Sequence, residues 1–171
     1  MDITQLILDD HHEQRRLFAI LEQIAPTDTA SLASVWRRLS TFLEVHAEAE
    51  EQIFYPALLR RGKGPDGESD AKDETLDAIK DHNEIRDAVA EAGRQRVGSD
   101  AWWKAVVAAN KANSDHMGEE EREGLTDFRR TADIQLRHDL AVRFITFETA
   151  HVTGVIPVDK SPEAYVAEHA A

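Results

Sequence analysis

The chain has 171 residues, a net charge of −13 and no cysteine. That length suits one domain with a substantial core, and the acidic balance argues against nucleic acid or an anionic membrane surface as a partner. The missing thiol excludes disulfides, thiolate zinc sites, iron–sulfur clusters and covalently attached haem.

Apolar residues recur every three or four positions, which predicts helices, and no alternating strand pattern competes. The first helix is expected from about Ile3 to Ala25, with an inward stripe of Ile3, Ile7, His11, Gln14, Leu17 and Leu21. Pro26-Thr27-Asp28 breaks it. Ser31 or Thr29 is expected to cap the second helix, which runs to about Arg61 through Leu32, Trp36, Leu39, Leu43, Ile53 and Leu58. Gly62-Lys63-Gly64-Pro65-Asp66-Gly67 is the strongest loop signal. The third helix, about Ala71 to Arg94, carries Leu76, Ile79, His82, Ile85 and Val89 inward. The fourth, capped by Ser99 or Asp100, reads Trp102, Val106, Ala109, Asn113, His116, Glu120, Gly124 and Phe128. Four long helices with short connections predict an all-α, up-down antiparallel four-helix bundle over residues 1–130. Residues 131–171 are expected to pack on it as an additional fifth helix, about Ile134 to Val152, and a short C-terminal helical tail from Pro162, capped by Ser161. Trp102 follows the inward stripe, and its neighbour Trp103 is expected under the fifth helix. No apolar run reaches membrane-span length, and Met1-Asp2-Ile3-Thr4 has no basic leader pattern, so a cytoplasmic location is the default expectation.

The inward stripes contain polar groups where apolar ones are the rule. Each long helix places one histidine there: His11, His46, His82 and His116. Two add a glutamate one turn later, Glu50 and Glu120. A buried carboxylate is costly unless it pairs, neutralises or binds a metal. The pattern also repeats. Asp10-His11-His12-Glu13-Gln14-Arg15 matches Asp81-His82-Asn83-Glu84-Ile85-Arg86, and His46-x-x-x-Glu50-Glu51 matches His116-x-x-x-Glu120-Glu121. Counted along the helices at about 1.5 Å per residue, all six side chains fall in one layer. Four imidazoles and two carboxylates converging in an apolar interior suit a pair of first-row transition metals, with iron, zinc, copper and nickel all open on residue type. Leu39, Phe42, Leu43, Ile53, Phe54, Ile79 and Ile85 would keep such a pocket dry.

Other polar residues read more plainly. Glu48, Glu51, Glu119, Glu121 and Glu123 are expected on a solvated face, Asp10 and Asp81 at the surface or behind the histidines. His12 lies about 100° around the helix from His11, and Tyr55 roughly 140° from Glu50, which favours packing over ligation for Tyr55. His138, His151 and His169 fall outside the repeat. Glu148-Thr149-Ala150-His151 has the Glu-x-x-His spacing of ferritin-like di-iron bundles, but only once, and such a site needs two.

The series His11, His46-x-x-x-Glu50, His82, His116-x-x-x-Glu120 resembles the hemerythrin-like, HHE cation-binding family, in its bacterial H-HxxxE-H-HxxxE form. The resemblance covers roughly residues 3–130. It implies a non-haem di-iron centre: two iron ions, oxo- or hydroxo-bridged, with the four histidines as terminal ligands and Glu50 and Glu120 as bridging carboxylates. The implied partner is a small diatomic or peroxide ligand, O2, H2O2 or NO, that the centre binds, senses or reacts with. Two departures stand out. Arg86 occupies the position where oxygen-carrying members have a second histidine, and Glu120 and Glu121 compete for the second bridge. These favour reaction or sensing over reversible oxygen carriage. The alternatives are a metal-holding regulatory or storage module without turnover, and a structural zinc or manganese site.

Overall fold

A computed structural model describes residues 1–63 and 71–170. Residues 64–67 of the glycine-rich loop signal lie outside them. The chain is all-helical, with no strand among the described residues.

Helix α1 is Ile3–Gln23, started by Asp2, whose carboxylate accepts from the Thr4 amide at 3.0 Å. Helix α2, Thr29–Ala49, is capped by Asp28, which accepts from the Ser31 amide. The expected caps, Thr29 and Ser31, lie just inside it. After Ala49 the helix widens into one π turn, Glu50–Phe54, and resumes as α3, Tyr55–Arg61. Pro56 explains the change. It has no N–H for the carbonyl one turn back, and its ring clashes with a regular α turn there. The Tyr55 amide reaches the Glu50 carbonyl instead, five residues away.

Helix α4 is Ala71–Arg94, and α5 is Asp100–Arg122 with Ser99 as its cap. The fourth helix was expected to continue to Phe128. It breaks at Glu123 and restarts as α6, Gly124–Thr131, next to Gly124, a weak helix former. Helix α7 is Ile134–Ala150 and α8 is Pro162–His169, with Ser161 as cap and proline in the first turn.

Two apolar cores stack along the molecule. One joins Leu17, Leu21, Leu32, Leu39, Ile85, Trp102 and Val106. The other joins Ile3, Ile7, Phe54, Leu58, Ile79, Phe128 and the α7 residues Leu140 and Phe144. Trp103 packs on the first core, beside Trp102, and not under α7. The two cores are separated by a polar layer drawn from α1, α2, the π turn, α4 and α5. Helix α7 packs on α1, and α8 on α4.

Candidate metal centre

The polar layer contains all six side chains singled out by the repeat. His11, His46, Glu50, His82, His116 and Glu120 are all buried. Glu50 lies at the centre. Its Oε1 faces His46 Nε2 at 3.0 Å and His11 Nε2 at 3.9 Å. Its Oε2 faces His82 Nε2 at 3.2 Å and His116 Nε2 at 3.9 Å. Two groups of three able to hold a cation, His11–His46–Glu50 and Glu50–His82–His116, therefore share one carboxylate. Glu120 is placed less symmetrically. Its Oε2 is 3.3 Å from His11 Nε2, while its Oε1 accepts a hydrogen bond from the Tyr55 hydroxyl at 2.7 Å.

Several of these atoms have no hydrogen-bond partner in the protein: His11 Nε2, His46 Nε2, both carboxylate oxygens of Glu50 and Glu120 Oε2. Buried polar groups are rarely left so. Here the orphans converge on one region, and nitrogen and carboxylate oxygen donors without sulfur are the set that first-row metals take. The residues present fit such ions.

Electrostatics holds the layer together without them. Burial would push the Glu50 carboxyl up, but the neighbouring His46, His116 and His82 hold it well below the usual range. Burial would lower His46, but Glu50, Asp10 and Glu148 raise it well above its ordinary value. His116 is treated alike: burial opposes the charge, and Asp81 and Glu50 lift it to about 10. Burial and the adjacent Glu120 carboxylate push the Tyr55 hydroxyl well up, which keeps it a proton donor.

Behind each histidine stands a second carboxylate, facing Nδ1 and leaving Nε2 for the centre. Glu121 faces His11 at 2.9 Å, Asp10 faces His46 at 3.2 Å, Glu51 faces His82 at 2.7 Å and Asp81 faces His116 at 3.7 Å. This fixes ring orientation and raises the basicity of the nitrogen that faces inward. Arginines back two of them at matching repeat positions: Arg15 on Glu121 and Arg86 on Glu51, each at 2.8 Å. The arrangement corrects two expectations. Glu51 is buried rather than solvated, because the π turn carries two successive glutamates inward. Glu121 holds the outer nitrogen of His11 while Glu120 faces the inner one.

Some contacts had no clear sequence signal. Lys160, from the segment before α8, bonds Glu51 Oε2 and reaches Glu48 at 2.9 Å. Its backbone is held by the Asn83 amide, and the Tyr165 hydroxyl donates to the Glu51 carbonyl. Glu148, half of the discarded Glu-x-x-His pair, lies behind His46 with an oxygen 3.8 Å from Nδ1. Signals were present for the rest. Asp10 and Asp81, Arg15 and Arg86, and Glu51 and Glu121 all recur at the repeat offset. Pro56, inside a helical pattern, marked the π turn.

The described residues contain no helix long and apolar enough to cross a membrane. A family model described as the hemerythrin HHE cation binding domain matches residues 2–126. Comparisons with curated proteins and with solved structures gave no match.

Proposed function

The chain belongs to the hemerythrin HHE cation-binding family, and we propose that its buried layer is a non-haem di-iron centre that binds, senses or reacts with O2, H2O2 or NO. In this reading His11 and His46 would hold one iron and His82 and His116 the other, with Glu50 and Glu120 as the carboxylates that would serve both. The observation that carries it is the division of Glu50, one oxygen toward each histidine pair. Iron bound there would supply redox chemistry toward a small oxidant. The protein supplies the surroundings: Leu39, Leu43, Ile53, Phe54, Ile79 and Ile85 are buried on either side of the layer and exclude bulk water, and the Tyr55 hydroxyl holds a proton against Glu120. The same proposal takes residues 1–130 as an up-down four-helix bundle, residues 131–171 as a C-terminal unit resting on it, and the cytoplasm as its location.

Elemental analysis with an absorption spectrum tests the reading. About two irons per chain, with ligand-to-metal charge transfer in the near-ultraviolet, are expected, and Glu50→Ala should abolish the pair. A colourless protein that holds zinc alone and takes up no iron on reconstitution would refute it. Oxygen release on adding peroxide would then distinguish turnover from sensing.

A further inference from the structure

The repeat that builds the centre is broken on one side of it. A cavity of about 240 Å³ opens between α4 and α5 and reaches two of the six candidate ligands, His116 and Glu120. Its walls carry Asp73, Glu74, Asp77, Asp81, Glu119 and Glu123, with no lysine or arginine among the lining residues. Glu120, 6% exposed, lines the same cavity with an Oε2 that has no hydrogen-bond partner in the protein.

The repeat allows a direct comparison. Shifting α4 positions back by 71 and α5 positions by 70 carries the cavity onto α1 and α2. Glu74, Asp77, Glu119 and Glu123 then become Ile3, Leu6, Ala49 and Ile53, while Asp73 and Asp81 keep acidic counterparts in Asp2 and Asp10. Ile3, Ala49 and Ile53 are buried in one apolar cluster with Leu140, Ala141 and Phe144 of α7. The Phe144 ring meets His46 edge-on, centroids 5.7 Å apart. One face of the pseudo-symmetric centre is thus greased and covered by α7, while its counterpart is acidic and open.

A cleft of one charge sign with low-dielectric walls concentrates counter-ions and repels co-ions. Resting on the reading of the layer as a metal centre, we propose that the α4–α5 cleft is the route by which divalent cations reach it. Asp73, Asp77 and Glu123 draw the ion in and set the loading rate, and they are not ligands of the finished centre. The same field disfavours anionic oxidants and leaves neutral ones unaffected.

The test uses the metal-free full chain and cobalt(II) chloride, with binding followed by visible absorption after rapid mixing. The variant Asp73→Asn/Asp77→Asn/Glu123→Gln should load about tenfold more slowly, within the range that electrostatic steering gives. Its final cobalt content should match the wild type, and its rate should depend less on salt. Asp77→Lys, a single exposed change, should also slow loading. A control of equal charge change away from the cleft, Glu22→Gln/Asp87→Asn/Asp139→Asn, should load at the wild-type rate. An unchanged rate in the cleft variants, or equal slowing in the control, overturns the route. A wild type that binds no divalent cation overturns the centre itself, whereas a wild type that loads beside unaffected cleft variants overturns the route alone.

Discussion

Glu51 and Glu121 occupy equivalent repeat positions and share a histidine and an arginine contact, yet their removal should have unequal consequences. Each accepts from a histidine Nδ1 and from an arginine. The differences are burial and Lys160, which bonds Glu51 and not Glu121. The Glu51 and Arg86 side chains are 0% and 5% exposed, and Glu121 and Arg15 are 28% and 40% exposed. Glu51→Ala leaves a guanidinium and an imidazole in the interior without their anion. Breaking a buried pair in this way costs about 3–5 kcal/mol. Glu121→Ala releases Arg15 into water, where the exposed pair is worth at most about 1 kcal/mol. The lost bond to His11 adds roughly 1–2 kcal/mol. Urea unfolding of the metal-free variants measures both. Metal affinity should respond differently, falling about 10–100-fold in each variant, because each loses the group that orients one histidine. Equal destabilisation in the two variants would refute the argument from burial. Unchanged metal affinity would refute the orienting role of the outer carboxylates.

Other outcomes follow from the same geometry. Tyr55→Phe removes the donor to Glu120 Oε1; the metal-free protein should lose about 1.5–3 kcal/mol in denaturant titration while metal content stays at the wild-type level, since Tyr55 supports a ligand and is not one. Burial would raise the Glu51 carboxyl, but His82, Arg86 and Lys160 hold it at about 2. Its contribution to metal-free stability is therefore complete above the ordinary carboxylate value of 4.5 and is lost as pH falls from there toward 2, on the order of 3 kcal/mol by linkage; unfolding monitored from pH 6 to pH 2 should show this loss, and Glu51→Ala should lack that part of it. At Gly62 an added Cβ would lie 2.7 Å from Asp127 Oδ2 and 2.8 Å from the Leu58 carbonyl oxygen. Asp127 is also held by the Lys63 amide, so Gly62→Ala should lower stability by about 1–3 kcal/mol in thermal melts.

The helical period was readable because each long helix buries one stripe against one or both of two apolar cores, and the starts and stops obey local backbone chemistry. The layer was readable for a related reason. Histidine and glutamate on an apolar stripe are expensive, and the same expense occurs twice at one spacing. The roles of Asp10, Asp81, Arg15 and Arg86 were present in that repeat too, but a repeat states equivalence and not contact. Their partners lie on neighbouring helices, so only the folded chain pairs Asp10 with His46 and Glu51 with His82.

What tertiary structure alone decided are the places where a uniform helix or a uniform repeat fails. A regular 3.6-residue turn puts Glu51 on a wet face and Tyr55 away from Glu50. The π turn brings Glu51 inside and Tyr55 onto Glu120, because residue five rather than residue four closes the turn. The two sides of the pseudo-two-fold centre already differ in residue type in the sequence, but which side is covered is decided only once α7 is docked, over His46 and away from the cavity at His116. Docking of α7 and placement of Lys160 on Glu51 are contacts between residues about 100 positions apart, with no local period to announce them.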